Sequence, residues 1–88
     1  MSFISEDSIV DITLYWETNI QTIKKIKYPI LEQLQEWVGG YIEIIPFNGY
    51  DVIVNEEGIS KGLFLNTLFN KVYNKKYVGN VVVITVSK

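Results

Sequence analysis

Residues 29–54, PILEQLQEWVGGYIEIIPFNGYDVIV, decide the fold. Pro29 stands where a first helical residue belongs, because its fixed φ suits that position. Ile30, Leu31, Leu34, Trp37 and Val38 then recur at helical spacing, with Glu32, Gln33, Gln35 and Glu36 on the opposite face. Gly39-Gly40 ends the helix by supplying the left-handed conformation of a C-terminal cap. Tyr41–Phe47 follows as a strand, Asn48-Gly49 is a hairpin turn, and Tyr50–Val54 is the returning strand.

Working outward, Ser8–Trp16 places Val10, Ile12, Leu14 and Trp16 on one face and Asp11 and Thr13 on the other, which is a strand. Ile20–Tyr28 interleaves β-branched residues with lysines and reads as an edge strand, since edge lysines discourage unwanted pairing. Downstream, Asn55-Glu56-Glu57-Gly58 is a turn, and Leu63–Tyr73 carries Leu65, Leu68, Phe69 and Val72 as a helical stripe. Val81–Val86 is apolar on both faces and so belongs in the centre of a sheet.

The expected class is therefore α+β, a single small domain in the order β-β-α-β-β-α-β. That is a β-grasp (ubiquitin-like) sheet with its helices on one face. If the second strand is loop, the alternative is a ferredoxin-like sheet. Residues 1–7 read as an N-terminal extension and 8–88 as the domain. Two short helices can hardly cover both faces of strands as apolar as 41–47 and 81–86, so the surplus predicts a homo-oligomer.

Composition bounds the chemistry. The 88 residues fit one core, 48% are hydrophobic, and the net charge is −2. The longest apolar run, Val81–Ile84, cannot span a bilayer, and residues 1–7 lack the pattern of a signal peptide. Cys, His, Arg and Ala are all absent. Without Cys or His, the nucleophilic triads and the usual zinc ligand sets cannot be assembled. Without Arg, phosphate recognition falls to lysine and backbone amides. Lysine clusters at Lys24, Lys25, Lys27 and at Lys71, Lys75, Lys76 read as solvated faces, and neither nucleic acid nor membrane is an expected partner. No catalytic residue, metal ligand or cofactor is expected.

Two groups of residues remain as binding candidates. Tyr41, Phe47 and Tyr50 surround the hairpin and can stack on a planar ligand. Asn55 and Glu56 lie on a turn, with Glu43 on a nearby strand. With Glu57, the carboxylates also allow the alternative of metal-assisted nucleotide hydrolysis by Glu43, Glu56 and Glu57.

The run Leu34-Gln35-Glu36-Trp37-Val38-Gly39-Gly40-Tyr41-Ile42-Glu43, paired with Asn55-Glu56-Glu57-Gly58, resembles a domain-of-unknown-function family of phages, large algal viruses and bacterial mobile elements. Leu63-Phe64-Leu65-Asn66 and Val78-Gly79-Asn80-Val81-Val82-Val83 extend the likeness over about residues 8–86. The N-terminal hairpin is more aromatic and more lysine-rich than the family pattern. The resemblance implies a viral or mobile-element accessory protein of the host-cell cytoplasm. It carries no established activity. In that setting the expected function is stoichiometric capture of a nucleotide defence signal or a host protein, with Asn66 at a helix start among the ligand-binding candidates. A structural or regulatory interaction module is the remaining alternative.

Overall fold

A computed structural model describes residues 4–88. Its elements are β1 (Ile9–Tyr15), β2 (Ile20–Lys27), α1 (Leu31–Val38), β3 (Ile42–Phe47), β4 (Tyr50–Asn55), α2 (Thr67–Tyr73) and β5 (Val81–Val86). The strands form one five-stranded sheet in the order β2-β1-β5-β4-β3. The α+β class and the element order agree with the sequence, and β2 is a full strand, which removes the ferredoxin-like alternative. The sheet departs from a β-grasp in its pairings. β5 runs antiparallel to β1 as well as to β4, so every pairing is antiparallel. The segment between Asn55 and Val81 returns to the end of the sheet it left, which makes β4 and β5 antiparallel neighbours.

The placement of the helices corrects the expectation that both lie on one face. Along β1 and β5, Val10, Ile12, Leu14, Val82 and Ile84 join Leu34 and Val38 of α1 in one core cluster. The alternate positions Tyr15, Val81 and Val83 join Phe69 of α2 in a second. Strand side chains alternate between faces, so each helix covers a different one. The apolar surplus that called for a second subunit is thus covered largely from within the chain.

Local chemistry accounts for the elements. Asn48 and Gly49 both have positive φ, 54° and 82°, as a two-residue hairpin of the primed type requires. Gly39 closes α1 at φ 81° and donates its N–H to Gln35 O at 2.8 Å. Two further C-terminal carbonyls of α1 are met by asparagine side chains: Asn55 Nδ2 donates to Val38 O at 3.1 Å, and Asn80 Nδ2 to Trp37 O at 3.0 Å. The helix expected from Leu63 begins only at Thr67. Leu65 instead bridges to Val78, and Gly79 N–H donates to Phe64 O at 2.7 Å, so the preceding segment is extended.

Residues 1–3 of the expected N-terminal extension lie outside the described residues. Ile4 is buried in the first core cluster, so the extension contributes to the domain at that point. Asp51 is fully buried and accepts a 2.6 Å hydrogen bond from the Tyr28 hydroxyl, tying the approach to α1 to the β3–β4 hairpin. No described helix is long and apolar enough to cross a membrane.

Tyr15 carries a pH signature. Burial in the second cluster, reinforced by a hydrogen bond with Tyr73, pushes its phenol from 10.0 up to about 12. Below pH 10 both folded and unfolded chains keep this proton. Between pH 10 and about 12 the unfolded chain releases it while the folded chain retains it, so stability falls as pH rises through that window. Urea titrations across this range should show the decline, and Tyr15→Phe should remove its share of it. An unchanged slope in the phenylalanine variant would assign the decline to other groups.

Candidate functional site

The face that α2 covers is left partly open beside β3. Glu43 and Ile45 of β3 stand there next to Val54 of β4, following the register Glu43↔Val54 and Ile45↔Val52. Two loops wall this strip. One is the turn Asn55, Glu56, Gly58, Ile59 and Ser60, and the other is the segment Lys76, Tyr77 and Val78 after α2. Together they enclose a half-open cleft of about 510 Å³.

Each wall is fixed by hydrogen bonds that the side chains themselves make. Asn55 is buried. Its Oδ1 accepts the Glu57 N–H at 2.8 Å while its Nδ2 holds α1, so one amide sets the turn and docks it to the helix. Gly58 N–H donates to Asn55 O at 3.1 Å, and Leu63 N–H donates to Gly58 O at 3.0 Å. A Cβ on Gly58 would lie 2.7 Å from Val78 Cγ2, so the two walls meet there with no room for a side chain. Opposite, Asn70 grips Tyr77 at both backbone groups: Nδ2 donates to Tyr77 O at 2.9 Å and Oδ1 accepts Tyr77 N–H at 2.8 Å. The Tyr77 ring stacks on buried Phe69 with centroids 5.3 Å apart.

The cleft therefore has an apolar floor of Ile45, Val54, Tyr77 and Val78. Carboxylates Glu43 and Glu56 and the ammonium of Lys76 supply its charge, and Ser60 adds a hydroxyl. Such a lining can hold a flat apolar body while accepting hydrogen bonds from amino groups and pairing one anionic group.

Of the residues expected from sequence, Glu43, Asn55 and Glu56 meet in this cleft. Asn55 uses both ends of its amide internally and acts as a corner. Tyr41, Phe47 and Tyr50 do not form a common stacking platform. Tyr41 and Phe47 are separated along the strand by roughly 20 Å at its usual rise per residue. Tyr41 lines a separate hollow with Gln35, Gly40, Glu57 and Lys61. Phe47 packs edge-on against Tyr73 beneath the Lys75 ammonium, and Tyr50 borders a third hollow.

Asn66 also requires correction. It is fully buried, with its side chain engaged in three interior hydrogen bonds, and is closed to a ligand. Glu57 turns to Lys61, with Nζ and Oε1 3.7 Å apart, on the far side of the turn from Glu43. Among the described residues no three acidic side chains converge as metal ligands. Sequence reasoning missed Ile45, Val54, Ile59, Ser60, Lys76, Tyr77 and Val78. The Asn55–Gly58 turn pointed to one wall, but nothing in Lys76–Val78 marks it as the other.

Fold and cleft together define a small antiparallel α+β domain with one helix on each face of the sheet and a lined hollow beside the second helix. The chain belongs to the domain of unknown function DUF3846, whose family model matches residues 12–88. Neither the curated proteins nor the solved structures yield a match to it.

Proposed function

We propose that this domain acts by stoichiometric capture of a nucleotide in the cleft between β3 and the Lys76–Val78 segment. The observation that carries the reading is the lining itself: an apolar floor of Ile45, Val54 and Tyr77, carboxylates at Glu43 and Glu56, and an ammonium at Lys76. A base is flat and apolar on its faces and carries amino donors that the carboxylates can accept. Its phosphate can pair with Lys76. The volume falls within the range of small-molecule sites, roughly 300–1,000 Å³. The absence of Cys and His from the whole chain favours holding a ligand over transforming it. In a phage, viral or mobile-element setting, such capture withdraws a defence signal from the host.

Calorimetric titration with purine and pyrimidine nucleotides, followed by chromatography of the recovered ligand, tests this reading. Saturable occupation of this cleft by one ligand is expected, with the nucleotide returned intact after incubation with divalent cations. Lys76→Glu should weaken binding at least tenfold, about 1.4 kcal/mol. Lys61→Glu, outside the cleft, should leave it unchanged. Absence of saturable binding across the panel overturns the nucleotide reading, and a hydrolysed product overturns capture.

A further inference from the structure

The irregularity in the β1–β2 pairing builds a second site. Val10 pairs with Ile26 and Ile12 with Ile23, so the single residue Asp11 faces both Lys24 and Lys25. This is a β-bulge, and it changes where side chains go. In an unbroken strand Lys24 and Lys25 would point to opposite faces. Here Ile23 and Ile26 both pack on the first core, and the two lysines between them share the other face with Asp11. Lys25 adopts φ 56°, unusual for a side chain of its size, and its N–H is held by Asp11 Oδ1 at 2.9 Å.

On this face the neighbouring strand brings Thr85 opposite Asp11, with Ser87 beyond it, and β4 contributes Tyr50. These groups line a hollow of about 510 Å³, outside the cluster that α2 covers and separate from the nucleotide cleft. Its one carboxylate is already occupied. Asp11 accepts the Lys25 N–H and lies 3.9 Å from Lys24 Nζ. The backbone hydrogen bond from Lys25 is the largest influence holding its carboxyl below the ordinary value, so it is ionised and satisfied within the site at neutral pH. Lys25 Nζ donates to Lys88 O at 3.3 Å on the exposed rim. Ser87 also hydrogen-bonds the Asp11 carboxylate, so what the hollow still offers a visitor is ammonium charge and the hydroxyls of Thr85 and Tyr50.

We propose that this bulge hollow binds a phosphate group, free or as a monoester, through Lys24 and Lys25 with Thr85 as a hydroxyl donor. A tetrahedral oxyanion matches paired ammoniums and a short hydroxyl side chain, and lysine serves as the cation in a chain that has no arginine. A bulge with lysines also keeps an edge strand from pairing with another chain, a role that requires no anion. The test separates the two.

Amide and lysine-ammonium NMR shifts are followed as inorganic phosphate, and separately AMP, is added at low constant ionic strength. Saturable changes at Asp11, Lys24, Lys25, Thr85 and Ser87 are expected in both arms, or in the AMP arm alone if only the monoester is taken. Lys25→Gly keeps the positive φ without strain, so this variant should be at least as stable as the parent and bind phosphate at least tenfold more weakly. Lys24→Gln should weaken binding too, whereas Lys76→Glu, in the other cleft, should leave these shifts intact. Linear shifts spread over all the lysines and matched by chloride overturn the proposal, as does full affinity in Lys25→Gly.

Discussion

Asn66→Ala is expected to destabilise the domain by about 3–7 kcal/mol, summing the loss of a helix cap, about 1 kcal/mol, and two stranded buried carbonyls at about 1–3 kcal/mol each. The Asn66 side chain has no exposure and sits at a junction of three elements. Its Nδ2 donates to Tyr15 O at the end of β1 and to Gly79 O before β5, both at 2.8 Å. Its Oδ1 accepts the Phe69 N–H at 3.0 Å and caps α2. The loss is a large share of the roughly 4–13 kcal/mol available to a chain of this length. At about 4–8 °C per kcal/mol, the thermal midpoint should drop by 12 °C or more. Asn66→Asp keeps the acceptor for Phe69 but sets a carboxylate against two carbonyl oxygens, so it should be no better than alanine. Asn66→Ser should recover only the cap. Urea unfolding of the three variants measures the series, and an alanine variant within 1 kcal/mol of the parent would refute this role.

The same junction shows which parts of the fold were legible in the sequence. Elements whose signals are local came through: the β1 alternation, α1 between Pro29 and Gly39, and the Asn48-Gly49 hairpin with its two positive φ angles. The start of α2 did not. Leu65, Leu68, Phe69 and Val72 form a helical stripe in sequence, yet Leu65 pairs with Val78 and Asn66 stops the helix from extending backward. Both effects depend on residues distant along the chain. The face assignment failed for a related reason. Apolar residues on both faces of β5 say that both are covered, but not by what. A helix of seven residues covers its face because Phe69, Tyr73 and Tyr77 are wide.

The site was legible on one wall only. Glu43 and Glu56 were visible because a strand and turn can be read locally, while Lys76–Val78 comes from an irregular segment brought across the sheet by Asn70. Asparagine is the residue type sequence reads worst here. Its amide can offer the same donor and acceptor to a ligand or to the backbone. Asn55 and Asn66 stood out as candidates, and both serve the chain's own carbonyls and amides. The β1–β2 bulge has no sequence mark beyond two adjacent lysines where alternation would bury one.

Phe69→Ala is the second large effect, with an expected loss of about 3–5 kcal/mol for an aromatic side chain removed from a closed core. Phe69 is fully buried and is the centre of the ring cluster beneath α2. Tyr73 and Tyr77 stack on it at 4.7 and 5.3 Å between centroids, and Tyr15 meets it edge-on at 5.4 Å. No neighbouring side chain can fill the space without leaving one of these contacts. Phe69→Leu restores much of the volume but not the stacking, so it should lose less than half as much. This milder variant also reports on the cleft, because Tyr77 is both the partner of Phe69 and part of the cleft floor. In Phe69→Leu the Asn70 clamp still holds the Tyr77 backbone, while its ring loses the surface it rests on. The expected result is weaker aromatic near-ultraviolet dichroism and several-fold weaker ligand binding in a protein that remains folded at 25 °C. Unchanged affinity alongside the lost dichroism would show that the ring's position does not matter to the ligand, and would move the binding surface toward Glu43 and Ile45.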